Sequence, residues 1–156
     1  MARPLEAARV FGSEYPNASF HDATLTRLQI DFVAGRASLN LRVWVGDPGA
    51  GDKSSREIYR TGVLEVSGLL FCSLDPPDRR CLYEHPQGLV GLGGLWLADD
   101  GAVTPEVPTG AEARLPVPLP DDAFLHYFFV NDWNSFIYLA GRDATFRWDR
   151  HQDEPA

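Results

Sequence analysis

The stretch TLTRLQIDFVAGRASLNLRVWV, residues 24–45, changes side-chain character at every second position. Leu28, Ile30 and Phe32 alternate with Arg27, Gln29 and Asp31; after Ala34-Gly35, Leu39, Leu41, Val43 and Val45 alternate with Ser38, Asn40, Arg42 and Trp44. Successive side chains of a strand point to opposite faces, so a period of two around a small-residue turn predicts a β-hairpin. Its apolar face covers a core and its polar face meets water or a partner.

Further along, residues 58–74 (IYRTGVLEVSGLLFCSL) form a second β-rich run in which Gly62 and Gly68 predict a bend or bulge. Residues 124–130 (FLHYFFV), 135–140 (SFIYLA) and 144–148 (ATFRW), separated by Asn131-Asp132 and Gly141-Arg142-Asp143, fit a three-stranded antiparallel meander. Between them, residues 75–120 hold eight of the 12 prolines and six of the 14 glycines, leaving room for short strands near Leu95–Ala98 and Val103. Residues 46–57 read as a mobile exposed loop, residues 1–19 as a leader with the spacing of a short helix, and residues 149–156 as a fraying tail. The sum is a mainly β chain: an antiparallel sandwich or half-open barrel of six to eight short strands with at most one or two short helices, in a single domain spanning 1–156. Leu28, Ile30, Phe32, Leu39, Leu41, Val43, Phe128, Ile137, Leu139 and Phe146 are its expected core.

The 156 residues are 44% hydrophobic and carry a formal charge of −8. That apolar content suits a globular core, and that sign repels nucleic acid and anionic lipid, so neither is an expected partner. No signal-peptide pattern and no apolar run long enough to cross a bilayer stand out, which gives a cytoplasmic location as the expectation. Cys72 and Cys81 then read as reduced thiols.

Two polar clusters are candidate sites. His21-Asp22 sets an imidazole beside a carboxylate at the mouth of the first strand, where the two could share a proton or hold a polar ligand. Neighbours in a strand face opposite ways, so a working pair needs the strand broken there; otherwise both are satisfied locally. Asp132-Trp133-Asn134 lies in a turn between two apolar strands, either as turn chemistry with Trp133 sealing the core edge or as a recognition spot. Trp44, beside Arg42 on the polar face, is either a cation–π packing unit or part of a contact surface. His21, Glu84-His85, His126 and His151 lack metal-ligand spacing, and Gly88, Gly91, Gly93 and Gly94 lack a phosphate-loop pattern, so no cofactor is expected.

The segment VFGSEYPNASFHDATLTRLQIDF, residues 10–32, followed by LNLRVWV, resembles the opening of small β-rich bacterial immunity-type proteins with an F-H-D-A segment. The later TGVLEVSGLLFCSLDPPD and NDWNSFIYLAGRDATFRW segments resemble uncharacterised bacterial YxiG-like domains. The resemblance implies a cytosolic domain without catalytic machinery that acts by binding, as in occlusion of a toxin.

The leading functional expectation is therefore a binding module, immunity-like, whose acidic surface meets a basic partner protein such as a toxin. A second is a small-molecule binder with a pocket lined by Phe124, Tyr127, Phe129, Tyr138 and Trp148. A third is a hydrolase or isomerase using His21 and Asp22 with Asp132, for which no nucleophile motif is present. An uncovered edge strand or the Trp44 face would favour a homodimer.

Overall fold

The hairpin forms as its alternation requires. In a computed structural model describing residues 3–84, 93–103 and 119–150, β1 (Ser19–Asp31) pairs antiparallel with β2 (Arg36–Trp44), and Ala37, Leu39, Leu41 and Val43 are buried. The expected core is corrected at the tip: Phe32 is 86% exposed, and Leu28 and Ile30 are only partly buried. Asp31 Oδ1 accepts from the backbone N–H groups of Val33 and Ala34, which bends the chain one residue before the alternation runs out and leaves Phe32 outside the ladder.

Among the described residues eight antiparallel strands share one sheet. The remaining six are β3 (Tyr59–Ser67), β4 (Phe71–Leu74), β5 (Leu95–Ala102), β6 (Phe124–Val130), β7 (Ser135–Gly141) and β8 (Asp143–Trp148). The strand order is β4-β7-β6-β5-β1-β2-β3-β8. The predicted C-terminal meander is corrected here, because β8 pairs with β3 and not with β7. The chain turns a corner at Arg142, whose N–H lies against the carbonyls of Ser67 and Gly68, while Gly68 (φ +58°) turns the opposing chain. β3/β4 and β7/β8 therefore run as two long bent segments paired on both sides of the corner, from Gly62↔Trp148 to Leu74↔Ile137, with a one-residue slip at the bend. Since β3 also pairs with β2 and β7 with β6, the pairings close into a circuit, and among the described residues the strands with one free side are the short β4 and β8. Such short edges offer little template for another chain.

Gly62, expected to mark a break, lies within an unbroken β3; a Cβ there would collide with the Phe146 ring and the Arg147 carbonyl of β8. Among the described residues three short α-helices accompany the sheet, one more than expected: α1 (Ala7–Phe11), α2 (Lys53–Arg56) and α3 (Arg79–Glu84). Phe11 of α1 seats among Phe20, Phe146 and Trp148, with ring centroids 4.7, 5.0 and 5.8 Å away, and its carbonyl accepts from Trp148 Nε1. β6 is buried on both faces: Phe124, Phe128 and Val130 join the main core, while Leu125 and Tyr127 join a second apolar cluster with Val103, Tyr138 and Ala140.

Residues 46–57, read as a mobile loop, contain α2 and are tied down. Trp44 Nε1 donates to the Arg56 carbonyl at 2.6 Å, Asp47 N–H to Ser55, and Asp52 caps the helix by accepting from the N–H of Ser55 and the hydroxyls of Ser54 and Ser55. Those donors hold the Asp52 carboxyl at about 2, below its ordinary 3.8. A depressed folded value means that the cap's contribution is fully present above the ordinary carboxylate value and is lost as pH falls through about 2. A pH titration of the Ser55 amide resonance should accordingly show its midpoint near 2; a midpoint near 3.8 would mean that the cap is not formed in solution.

At the C-terminal end, the expected fraying does not begin at Asp149, whose N–H donates to the Thr61 carbonyl and whose Oδ2 accepts from Thr61 Oγ1 at 2.7 Å. The rest of that predicted tail, residues 151–156, lies outside the described residues, as do His85, Gly88 and Gly91. No helix among the described residues is long and apolar enough to cross a membrane.

Candidate functional site

The strand is broken where His21 and Asp22 require it to be. Ser19 pairs with Trp44 but Thr24 with Arg42, so residues 20–23 bulge against a single residue of β2, and Asp22 takes a left-handed conformation (φ +64°). For a non-glycine residue this is uncommon, and aspartate is among the types that tolerate it. The bulge buries Phe20 and Ala23 and turns His21 and Asp22 outward, with His21 Nε2 3.5 Å from Asp22 Oδ2.

Trp96, which nothing in its glycine-broken sequence surroundings singled out, joins the two predicted clusters. Its indole Nε1 donates to Asp22 Oδ1 at 3.0 Å, and its backbone N–H donates to Asp132 Oδ2 at 3.3 Å. β5 places it opposite Thr24, directly after the bulge. With both N–H groups engaged, the indole is fixed in orientation while 44% of the residue stays exposed.

Asp132, Trp133 and Asn134 share a 3-10 turn (Asn131–Trp133) closed by Asn134 in the left-handed region at φ +48°. The three side chains diverge. Trp133 is buried in the main core, whereas Asp132 and Asn134 face a hollow of about 300 Å³ that Asp78, Arg80, Cys81 and Glu84 also line. Asn134 Nδ2 donates to Asp78 Oδ2 at 2.8 Å and the Cys81 N–H donates to Asp78 Oδ1, which together lower the Asp78 carboxyl and keep it ionised. Burial, with Asp78, Asp132 and Glu84 adding to it, pushes the Cys81 thiol up. Both cysteines are free thiols, Cys72 being only partly buried. Three carboxylates against one guanidinium, itself bonded to Glu84 at 2.9 Å, make the hollow acidic.

Trp44 stands apart from this group, donating to Arg56, and the cation–π partner of Arg42 is Tyr59 instead, at 4.0 Å. The five rings proposed to line one pocket are divided: Phe124 is in the main core, Trp148 packs against it, and Tyr127, Phe129 and Tyr138 belong to the second cluster.

His126, in the sequence a candidate only as a metal ligand, has a different role in the fold. It is a buried clamp: Nδ1 accepts the Leu5 N–H at 3.0 Å, so the ring proton sits on Nε2, which faces Asp100 Oδ2 at 2.7 Å. With both nitrogens engaged, this imidazole holds the N-terminal segment to β6 and is not free to act as a base. No group of three or more His, Cys, Asp or Glu side chains that could hold a metal occurs among the described residues. Beside His21, Ser19 Oγ accepts the His21 backbone N–H, which is not a nucleophile–base contact. No family model, curated protein or solved structure matches the chain.

Proposed function

We propose that the protein is a non-catalytic binding module that docks a basic protein against Trp96 and the neighbouring acidic hollow. The observation that carries this reading is the fixed, half-exposed indole of Trp96, flanked by Asp22 and by Asp132 at the hollow's wall. An aromatic face beside carboxylates suits a lysine or arginine side chain, which gains a cation–π contact and a charge-assisted hydrogen bond together. Preorganisation of the ring lowers the ordering cost of binding, and the charge of −8 accelerates encounter with a positive surface. The resemblance of residues 10–32 and the following LNLRVWV strand to immunity-type proteins supports the same reading and would make the partner a toxin held in an occluded state.

The test uses immobilised full-length protein and basic proteins from the native host. Capture should fall about 30-fold with Trp96→Ala, the loss of about 2 kcal/mol typical of an interface anchor. It should also weaken with Asp132→Asn and with rising salt. Tyr59→Ala, on the Arg42 stack and outside this cluster, should leave capture unchanged. Capture indifferent to Trp96 and to salt would overturn the reading.

A further inference from the structure

Residues 3–5 form a short arm laid along β6 where β5 ends. The last β5 pair is Ala102↔His126; just beyond it Arg3 bridges Phe124 in parallel, its N–H donating to the Ala123 carbonyl and its carbonyl accepting from the Leu125 N–H. The third tie runs to a side chain, because the Leu5 N–H donates to His126 Nδ1 at 3.0 Å. A neutral imidazole has a single unprotonated nitrogen, with a single lone pair in the ring plane. Nδ1 therefore holds either the Leu5 N–H or a proton, never both, and an imidazolium would turn a second donor toward the Leu5 donor.

The surrounding groups leave this competition in place. Asp100 of β5 faces Nε2 at 2.7 Å; its side chain is partly exposed, and a carboxylate there favours a positive ring. Asp99 beside it accepts from Tyr127 Oη. β1 and β6 face the imidazole with the Phe20 and Phe128 rings, β7 sets Leu139 opposite it, and the arm carries Arg3 and Glu6 on either side of Leu5.

We propose that His126 is a proton-operated latch: protonation at Nδ1 expels the Leu5 N–H and releases residues 3–5 from β6, freeing the Ala123 carbonyl and the Leu125 N–H, while Asp100 keeps the charged ring in place. The release stops at α1, because Phe11 is seated among Phe20, Phe146 and Trp148, none of which titrates. Histidine is the side chain whose ordinary charge change falls in the weakly acidic range, so the latch answers to mild acidification. This inference goes beyond the docking surface around Trp96 and does not depend on it.

Amide exchange of the full chain, followed by NMR from about pH 8 to about pH 5 and corrected for the intrinsic rate at each pH, tests the latch. Protection of Leu5 and Leu125 should fall together, approaching about tenfold per pH unit at the acid end, the slope of one proton. Phe128 and Ile137, paired with each other inside the sheet, should keep theirs. Asp100→Asn, which removes the charge favouring the imidazolium, should carry the loss to lower pH. His126→Asn, whose Oδ1 accepts a hydrogen bond but takes up no proton, should remove the pH dependence. Constant protection of Leu5 across the range, a ring nitrogen spectrum of the imidazolium while Leu5 stays protected, or equal losses at Leu5 and Ile137 would each overturn the proposal.

Discussion

Phe11→Ala should lower the unfolding free energy by about 3–5 kcal/mol, the range for deleting a fully buried aromatic ring. The ring is 3% exposed and is the only contribution of α1 that reaches Phe20, Phe146 and Trp148 together among the described residues. A five-residue helix cannot hold itself in water, so its place depends on this anchor and on the neighbouring Val10. Losing the ring leaves a hole between β1 and β8 and loosens the acceptor of Trp148 Nε1. Urea unfolding followed by tryptophan fluorescence checks this: the midpoint should drop with an unchanged slope. A loss below about 1 kcal/mol would show that the site collapses freely and that the helix is not seated as described.

The second large effect is expected at His126. His126→Phe keeps an aromatic ring between Phe20 and Phe128 but leaves the Leu5 N–H and the Asp100 carboxylate without their partner, a cost of about 2–5 kcal/mol. Hydrogen exchange separates this from a packing defect. The Leu5 amide should exchange fast in His126→Phe and stay protected in Asp100→Asn, whose side-chain oxygen still accepts from Nε2. A neutral or stabilising His126→Phe would mean that the clamp contributes nothing net.

Much of the sheet was legible because alternation is a local property. β2 and the break of the 58–74 run at Gly68 follow from residue order alone, and so do the spans of β6 and β7. What residue order does not carry is which strand lies beside which. Gly141-Arg142-Asp143 has hairpin-turn composition, yet it turns a corner, because Val66 and Phe124 pack where a Gly141 side chain would be and β3 offers β8 a partner. The site divides in the same way. Asp22, Asp132 and Asn134 stood out as polar groups at strand ends, and the structure brings the first two together, but only through Trp96. That link joins residues 74 and 36 positions apart, and no local pattern announces it. His126 was hidden for the opposite reason: set in FLHYFFV, it looks like a flaw in an apolar strand until Leu5 and Asp100 are seen at its two nitrogens.

The seam between the two bent segments carries a kinetic consequence. It joins Gly62 to Trp148 and Leu74 to Ile137, pairs 86 and 63 positions apart, so a long stretch of polypeptide must be looped out before the ring can shut. Closing so long a loop costs entropy before the distant ladder returns any stabilisation, which places the molecule among slow, millisecond-to-second folders. Until then β3 and β7 each expose an unsatisfied border to other nascent copies, a hazard that the finished molecule no longer presents.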